Sequence, residues 1–236
     1  MTVSLRVSRF QARTEVLGPG SRAVVWFQGC SLQCPGCMAQ TMNDDDAHEA
    51  WTPQALADRI CRLTGIEGIT LSGGDPFDQS PEALCAFTEA VRKNSDLTIM
   101  AFTGRTMNQL QRQLPRSLRE RLFATIDLLV DGPYVEELND GSLWRGSSNQ
   151  KIHFLSPRYN HLRPLVESSR SRGLEVSVRD GRELEITGIP PRGFLSGLTS
   201  RLDARGLSLD FSSKPKSDDL GVEPKERSLF RVGEMH

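Results

Sequence analysis

Three of the five cysteines in this 236-residue chain lie within one short segment, FQGCSLQCPGC. A disulfide uses two cysteines, and a closed zinc site usually takes four ligands. Three thiolates spaced C-x3-C-x2-C can reach three corners of an iron–sulfur cube and leave the fourth iron without a protein ligand. A catalytic metal site keeps such an open position, whereas a structural site closes it. Cys30, Cys34 and Cys37 are therefore the predicted metal ligands and the predicted catalytic centre.

Two other interpretations of this loop stay open at this point. A zinc site of three cysteines needs a histidine to complete it, and the nearest one, His48, follows a run of aspartates. A redox pair formed by Cys34 and Cys37 would not need Cys30. The iron–sulfur interpretation is the one that uses all three cysteines.

The composition is that of an ordinary soluble globular protein. Hydrophobic residues make up 37% of the chain and charged residues 25%, with a formal net charge of −1, so we expect neither a nucleic-acid partner nor a membrane surface. No signal peptide and no bilayer-spanning run is visible. We therefore expect a cytoplasmic location, where thiols stay reduced and clustered cysteines serve as metal ligands or reactive groups. Cys61 and Cys85 fall in predicted amphipathic helices and are expected to be core residues.

Predicted strands and helices alternate along the first two thirds of the chain. The strands are the apolar runs at 22–29, 68–74, 97–104 and 125–132, and the helices lie within 51–63, 80–93 and 106–122. This alternation predicts βαβ units, a parallel sheet and one α/β core domain over residues 1–164. Ligands bind at the C-terminal ends of such strands. The turns that follow the four strands are therefore expected to meet at one rim.

The pattern changes beyond residue 165. The segment LEVSVRDGRELEIT alternates apolar and polar residues around Asp180-Gly181, a strong β-hairpin signal. A helical segment and a closing strand, LSLDF, follow it. Together they predict a small ββαβ appendage over residues 165–211. The Pro-, Ser- and charge-rich tail, residues 212–236, is predicted to be disordered.

Two motifs resemble those of the radical S-adenosylmethionine (SAM) superfamily. They are C-x3-C-x2-C after the first predicted strand and SGGDP after the second. The resemblance implies a partial, open parallel β/α barrel and a 4Fe-4S cluster whose open iron is chelated by SAM. It further implies that an electron from the cluster cleaves SAM to a 5′-deoxyadenosyl radical, which abstracts hydrogen. In such enzymes the cofactor carries the chemistry, and the protein positions it and excludes water.

Three further segments narrow the resemblance to the glycyl-radical activating branch. GPGSR, at 18–22, resembles the entry of glycyl-radical activating enzymes. LVDGPYVEEL, at 129–138, and WRGSSNQ, at 144–150, resemble the activating proteins of anaerobic ribonucleotide reductase. This branch implies a glycyl-radical enzyme as the protein partner and a flavodoxin- or ferredoxin-like electron donor.

The resemblance also implies which residues bind the cofactor. Gly73 and Gly74 lack a Cβ, so their backbone can approach a ligand and accept hydrogen bonds from the methionine ammonium group. Asp75 stands where the family most often has Glu, and Met38 where the activating proteins carry an aromatic residue. The complete predicted set is Gly36, Cys37, Met38, Gly73, Gly74, Asp75, Thr103, Asp131 and Arg145. In WRGSSNQ, the polar run from Arg145 to Gln150 is expected to hold an extended partner backbone.

Two alternatives from other functional classes remain. A radical SAM enzyme acting on a small molecule or peptide, similar to carboxy-deazaguanine synthase, would share the cysteines and the paired glycines but not LVDGPY or WRGSSNQ. A noncatalytic iron–sulfur or zinc module would have no need of SGGDP at the rim.

Overall fold

The computed structural model describes residues 3–43, 48–170, 173–179, 183–210 and 229–234. Its main element is a seven-stranded sheet in the order β3-β1-β2-β4-β5-β6-β7. The strands are β1 (Leu5–Thr14), β2 (Arg22–Phe27), β3 (Glu49–Trp51), β4 (Gly68–Gly73), β5 (Thr98–Phe102), β6 (Leu128–Asp131) and β7 (Lys151–Phe154). The helices are α1 (Pro53–Cys61), α2 (Pro81–Asn94), α3 (Met107–Gln113), α4 (Arg116–Thr125) and α5 (Arg163–Ser168).

The centre of the sheet is parallel, and its flanks are antiparallel. β2, β4, β5 and β6 pair in parallel and correspond to the four predicted strands, which are thereby confirmed. β1, β3 and β7 are antiparallel to their neighbours, so the expected parallel sheet is in fact mixed. β1 buries Leu5, Val7 and Phe10 among partly exposed residues, a pattern of a strand with one face on the core. The fold class is α/β, as expected.

The predicted helix starts at Thr52-Pro53 and Ser80-Pro81 are confirmed. The Thr52 hydroxyl accepts a hydrogen bond from Ala55 N at 3.2 Å, and each proline occupies the first helical position. The helix expected over 106–122 is instead two helices, α3 and α4. The break falls at Leu114-Pro115, because proline disfavours helical geometry in the residue before it and lacks the N–H that a helix interior requires.

The core fills both faces of the sheet. On one face the apolar sides of α1, α2 and α4 pack on β4 and β5 in a cluster that includes Cys85, which is fully buried as expected. On the other face Met100, Leu128 and Val130 pack against Trp144 and Val166. Because Val166 belongs to α5, the predicted domain boundary at 164/165 falls inside a helix that packs on the core domain. No helix within the described ranges is long and apolar enough to cross a membrane.

The C-terminal segment forms a second, four-stranded sheet in the order β10-β11-β9-β8. Its elements are β8 (Leu174–Arg179), β9 (Glu183–Gly188), α6 (Phe194–Asp203), β10 (Leu207–Asp210) and β11 (Leu229–Glu234). β8 and β9 pair antiparallel, while the predicted turn residues Asp180-Gly181 lie outside the described residues. β11 lies in the segment that the sequence predicts to be a disordered tail; here it pairs between β10 and β9, with backbone hydrogen bonds on both sides. Residues 211–228 lie outside the description.

The second sheet contacts the core sheet through buried polar groups. Arg9 of β1 forms a buried ion pair with Glu185 of β9, and its guanidinium also lies 4.3 Å from the centre of the Trp26 ring. Ile189, just after β9, packs with Trp26 and Met42. Met42 lies at the end of the segment that contains the cysteines, where its carbonyl accepts a hydrogen bond from Gly29 N, so the second sheet packs close to that segment.

Candidate functional site

The cysteine loop leaves β2 at the C-terminal edge of the parallel strands and is tied there by backbone hydrogen bonds. Gly29 N donates to the carbonyl of Met42 at 2.7 Å, which joins the start of the loop to its end. The Gly29 carbonyl accepts from Asp75 N at 2.9 Å, and Gly74 N donates to the Phe27 carbonyl at 2.8 Å. The SGGDP turn and the cysteine loop are thus directly bonded, as the expected rim requires.

The paired glycines make room for the chain's own backbone. A Cβ on Gly74 would overlap the carbonyl of Gly29, lying 2.6 Å from its carbon, and a Cβ on Gly73 would lie 2.5 Å from Phe27 N. Gly73 also has a φ of +97°, which disfavours any residue with a side chain. The absence of side chains therefore has a reason within the fold, whereas the approach of a ligand to these glycines stays a prediction.

The three thiols are partly buried and differ in their surroundings. Burial raises the pKa of Cys30, the backbone N–H groups of Leu32 and Gln33 oppose this rise, and nearby carboxylates add to it. Burial likewise raises the pKa of Cys37, against a hydrogen bond from Ala39 N–H. Backbone N–H groups directed at cysteine sulfur stabilise thiolates and are among the features that tune iron–sulfur clusters.

The donor set has the composition that an iron–sulfur cluster with one open iron requires. Cys30, Cys34 and Cys37 all lie in the loop after β2, are partly buried and form no disulfide. Cys85 donates to the Leu118 carbonyl at 3.4 Å inside the core. Cys61 ends α1 and is partly exposed, so the expectation of a core position is wrong for it; both cysteines lie on helices rather than in the loop.

Asp75 and Thr103 are brought together, as the rim prediction requires. The Asp75 carboxylate is 1% exposed and accepts from Phe77 N at 2.9 Å, from the Thr103 hydroxyl at 2.9 Å and from Gly104 N at 3.1 Å. Burial raises the pKa of Asp75 to about 6, although these hydrogen bonds and the adjacent Arg105 oppose the rise. Both residues join the end of β4 to the end of β5, and their contact with SAM remains a prediction.

The hydrogen-bonded group around Asp75 also includes Arg105, Ser31 and Asp78, which the sequence analysis did not single out. Arg105 bonds to Asp75 at 3.0 Å, to the Ser31 hydroxyl at 3.1 Å and to Asp78. Asp78 in turn accepts from Ser31 N at 2.7 Å. No short-range pattern marks these residues, because Ser31 and Arg105 are 74 positions apart.

Asp131 ends β6 at the same rim. Burial alone would raise its pKa, but the adjacent His153 side chain and hydrogen bonds from the Met107 and Lys151 backbone outweigh this and leave the pKa below its ordinary value. His153 Nε2 lies 3.1 Å from one carboxylate oxygen, and Met107 N lies 2.5 Å from the other. Asp131 is therefore a buried, ionised carboxylate; its role in cofactor binding stays a prediction.

WRGSSNQ forms a turn whose polar groups mostly bond within the chain. The Gln150 amide donates to the Gly132 carbonyl at 2.7 Å and accepts from Gly146 N at 2.7 Å. Ser147, fully buried, accepts from Val135 N at 3.1 Å. Arg145 donates to the Gln150 and Val166 carbonyls at 3.5 and 3.4 Å, on the side of the turn that faces α5. Ser148 and Asn149 are exposed.

Gly36 and Met38 lie beside Cys37 on the outer part of the loop. Met38 is 41% exposed, an unusual position for a large apolar side chain. A Cβ on Gly36 would lie 2.7 Å from a carboxylate oxygen of Glu136, so the loop runs close to the LVDGPYVEEL segment. The cysteine loop and LVDGPYVEEL, two of the segments that carry the resemblance, are therefore adjacent in space.

Known proteins match this same part of the chain. Residues 16–153 match the model of the 4Fe-4S single cluster domain family. The anaerobic ribonucleoside-triphosphate reductase-activating protein of Haemophilus influenzae is 36% identical over 152 residues, which cover 59% of this chain and 92% of that protein. The proteins of the same name from Vibrio cholerae and Escherichia coli K12 are 36% and 34% identical over 148 residues, covering 58% and 59% of this chain and 90% and 92% of theirs. The chain belongs to the anaerobic ribonucleoside-triphosphate reductase-activating protein family.

Membership in this activating-protein family confirms the resemblance found in the sequence. The 4Fe-4S cluster is the cofactor, and SAM is the co-substrate expected for the family. The zinc and redox-pair interpretations of the cysteine loop are set aside, because the matching family model is that of a 4Fe-4S domain. The family match ends at residue 153, so it includes the whole rim and none of the second sheet.

Proposed function

We propose that this chain activates an anaerobic ribonucleoside-triphosphate reductase by generating a glycyl radical on it, as a radical SAM enzyme. The observation that carries this function is the matched region itself, in which the three-cysteine loop, SGGDP and WRGSSNQ occur together. The same residues gather at one edge of the parallel strands, where α/β folds bind ligands.

Cys30, Cys34 and Cys37 would hold the cluster, and the residues around them prepare the thiolates. The 4Fe-4S cluster and SAM supply the one-electron chemistry that removes a hydrogen atom from the partner's glycine. Backbone N–H groups at Leu32, Gln33 and Ala39 are directed toward the sulfurs of Cys30 and Cys37 and favour their ionised form. The exposed Met38 would offer a soft apolar contact to a group bound beside Cys37.

The partner glycine must reach the rim from an open side. We propose that the sheet is curved as a partial barrel, and that a flexible backbone loop of the reductase enters beside Met38 and the exposed end of WRGSSNQ. Gly73, Gly74 and Asp75, with Thr103, Asp131 and Arg145, are the proposed SAM-binding groups. A flavodoxin- or ferredoxin-like protein is the proposed electron donor.

The test of this function is radical formation on the partner. Anaerobically reconstituted, reduced protein is mixed with SAM and an anaerobic ribonucleoside-triphosphate reductase from the same genome, and the electron paramagnetic resonance spectrum is recorded. We expect a SAM-dependent radical signal on the reductase, lost when its radical-bearing glycine is changed to alanine. Cleavage of SAM without any radical on the reductase would favour a small-molecule substrate.

Single substitutions of Asn149 and Gln150 are expected to have different effects: the first on activation of the partner, the second on the stability of the fold. Asn149 is exposed and donates to the Pro133 carbonyl at 2.8 Å, so Asn149→Ala should fold normally, cleave SAM without the partner and yield less radical on the reductase. Gln150→Ala would strand the Gly132 carbonyl and Gly146 N–H, which we expect to cost about 2 kcal/mol of unfolding free energy. Thermal unfolding and radical yield, measured on both single variants, check these outcomes.

Ser148→Ala is the matched control for Asn149→Ala, because Ser148 is an exposed neighbour in the same turn. A normal radical yield from a folded Asn149→Ala protein would contradict a role for its side chain in partner binding. A Gln150→Ala protein that melts at the wild-type temperature would contradict the bracing role of that amide.

A further inference from the structure

Arg105 lies close to Cys30, the first cysteine of the loop, and bonds to Ser31, the residue that follows it. Its side chain is 13% exposed and bonds to groups from three separate segments of the chain. One nitrogen bonds to Asp75, at the end of β4, at 3.0 Å; another bonds to Asp78 and also to the Ser31 hydroxyl at 3.1 Å. The remaining guanidinium nitrogen donates to Gln113 of α3 at 2.9 Å.

Asp78 links Arg105 to the backbone of the cysteine loop, because it bonds to both Arg105 and Ser31. One of its carboxylate oxygens accepts from Ser31 N at 2.7 Å, and the other accepts from the Ser31 hydroxyl at 3.3 Å. Ser31 directly follows Cys30, so the residue beside the first thiolate is held at two atoms. The Leu32 side chain also contacts Gly104, the residue before Arg105.

Arg105 also neutralises two carboxylates close to the cysteine loop. Asp75 and Asp78 are two mostly buried carboxylates that share one guanidinium, and Asp78 also bonds to Ser31, the residue after Cys30. Without the cation the two carboxylates would repel each other and a Cys30 thiolate. A bidentate arginine suits this position, because its planar donors reach both carboxylates at once.

We propose that Arg105 is a positioning residue for the cluster: through Asp75, Asp78 and Ser31 it holds Cys30 in place and balances negative charge next to it. The inference rests on the proposed function only in its use of the three-cysteine cluster. Groups that orient metal ligands typically change metal affinity by 10- to 100-fold when they are altered.

The experiment measures the rate at which a chelator removes iron from anaerobically reconstituted protein, with neither SAM nor partner present. Arg105→Met keeps an unbranched side chain of similar reach and removes the charge; we expect roughly tenfold faster iron loss. Arg105→Lys keeps the positive charge but lacks the planar guanidinium, and it should lose iron faster than wild type and more slowly than Arg105→Met. Partial rescue by lysine is the signature of a charge-dependent role that a packing role would not produce.

Arg92→Met is the matched control. Arg92 also forms an ion pair with a buried aspartate, Asp127 at 2.5 Å, and caps the Thr125 carbonyl at 2.8 Å. This pair lies at the opposite edge of the parallel strands, where β6 begins. We expect Arg92→Met to lower the melting temperature while iron loss stays at the wild-type rate.

Three outcomes would overturn the proposal. The first is a folded Arg105→Met protein that keeps iron as wild type does, and the second is an equal acceleration in Arg92→Met. If Arg105→Met does not fold, Asp78→Asn is tested instead, because it keeps the side-chain volume and weakens the bonds to Ser31. The third contradicting outcome is an Asp78→Asn protein that keeps iron as wild type does. Wild-type protein that binds no iron would instead contradict the proposed function, so the two failures are distinguishable.

Discussion

Anaerobically reconstituted Cys34→Ala protein is expected to hold no 4Fe-4S cluster, and the same is expected of Cys30→Ala and Cys37→Ala. The wild-type protein should bind about four irons per chain, as a cube on three thiolates requires. Removing one thiolate leaves only two corners of the cube bound to the protein. Iron and acid-labile sulfide content, with the visible absorption spectrum, measure the result.

The two helical cysteines are the matched controls. Cys61→Ser and Cys85→Ala proteins should both retain a full cluster. Cys85 is fully buried and its thiol donates to the Leu118 carbonyl, so Cys85→Ala should melt at a lower temperature even though its iron content is unchanged. A full cluster in the Cys34→Ala protein, or its loss in Cys61→Ser, would contradict the assignment of ligands.

The central strands and the rim could be predicted from the sequence because their signals are local. A strand buried on both faces is a continuous apolar run, and the six residues of β2 are all buried. Each parallel strand is followed by a turn at the same edge of the sheet, so the positions of Cys30, Asp75 and Thr103 followed from the strand order alone. The starts of α1 and α2 were equally local, since a cap residue and a proline mark each of them.

The features that were missed depend on contacts between distant segments. β7 has four residues, none of them buried, and is a strand because it pairs with β6. β11 lies in a segment whose composition indicates disorder, and its pairing with β9 and β10 supplies what composition cannot show. Arg105 lies one turn after a strand like many surface arginines, and only the fold brings Asp75 and Asp78 to it.

WRGSSNQ shows the same limit within one motif. From the sequence alone, all of its polar residues were equally good candidates to hydrogen-bond a partner's backbone. The structure separates them by burial, because Ser147 and Gln150 are buried, whereas Asn149 is exposed even though it donates to the Pro133 carbonyl. Trp144, with a φ of +53°, sets this turn: its ring is buried in the core, which holds an otherwise unfavourable backbone conformation.

Gly74→Ala is expected to abolish cluster binding although position 74 carries no cluster ligand. The added Cβ would overlap the Gly29 carbonyl group, which is backbone and cannot rotate away. Relief requires Gly29 to move, and Gly29 precedes Cys30 and bonds to both Asp75 and Met42. Overpacking typically costs about 1–3 kcal/mol, and an overlap with backbone lies at the upper end of that range. We therefore expect a lower melting temperature and almost no bound iron after reconstitution.

Gly197→Ala is the matched control, because a Cβ at Gly197 meets nothing within 4 Å and the residue lies inside α6. Replacing a helix-interior glycine by alanine should stabilise the helix by up to about 1 kcal/mol, and iron content should not change. If Gly74→Ala folds with a full cluster and fails only to bind SAM, the glycine faces the co-substrate, and its contact with Gly29 is less rigid than the structure indicates. If both properties are lost together, Gly74 acts by holding the cysteine loop against β4, and SAM binding fails because the cluster is absent.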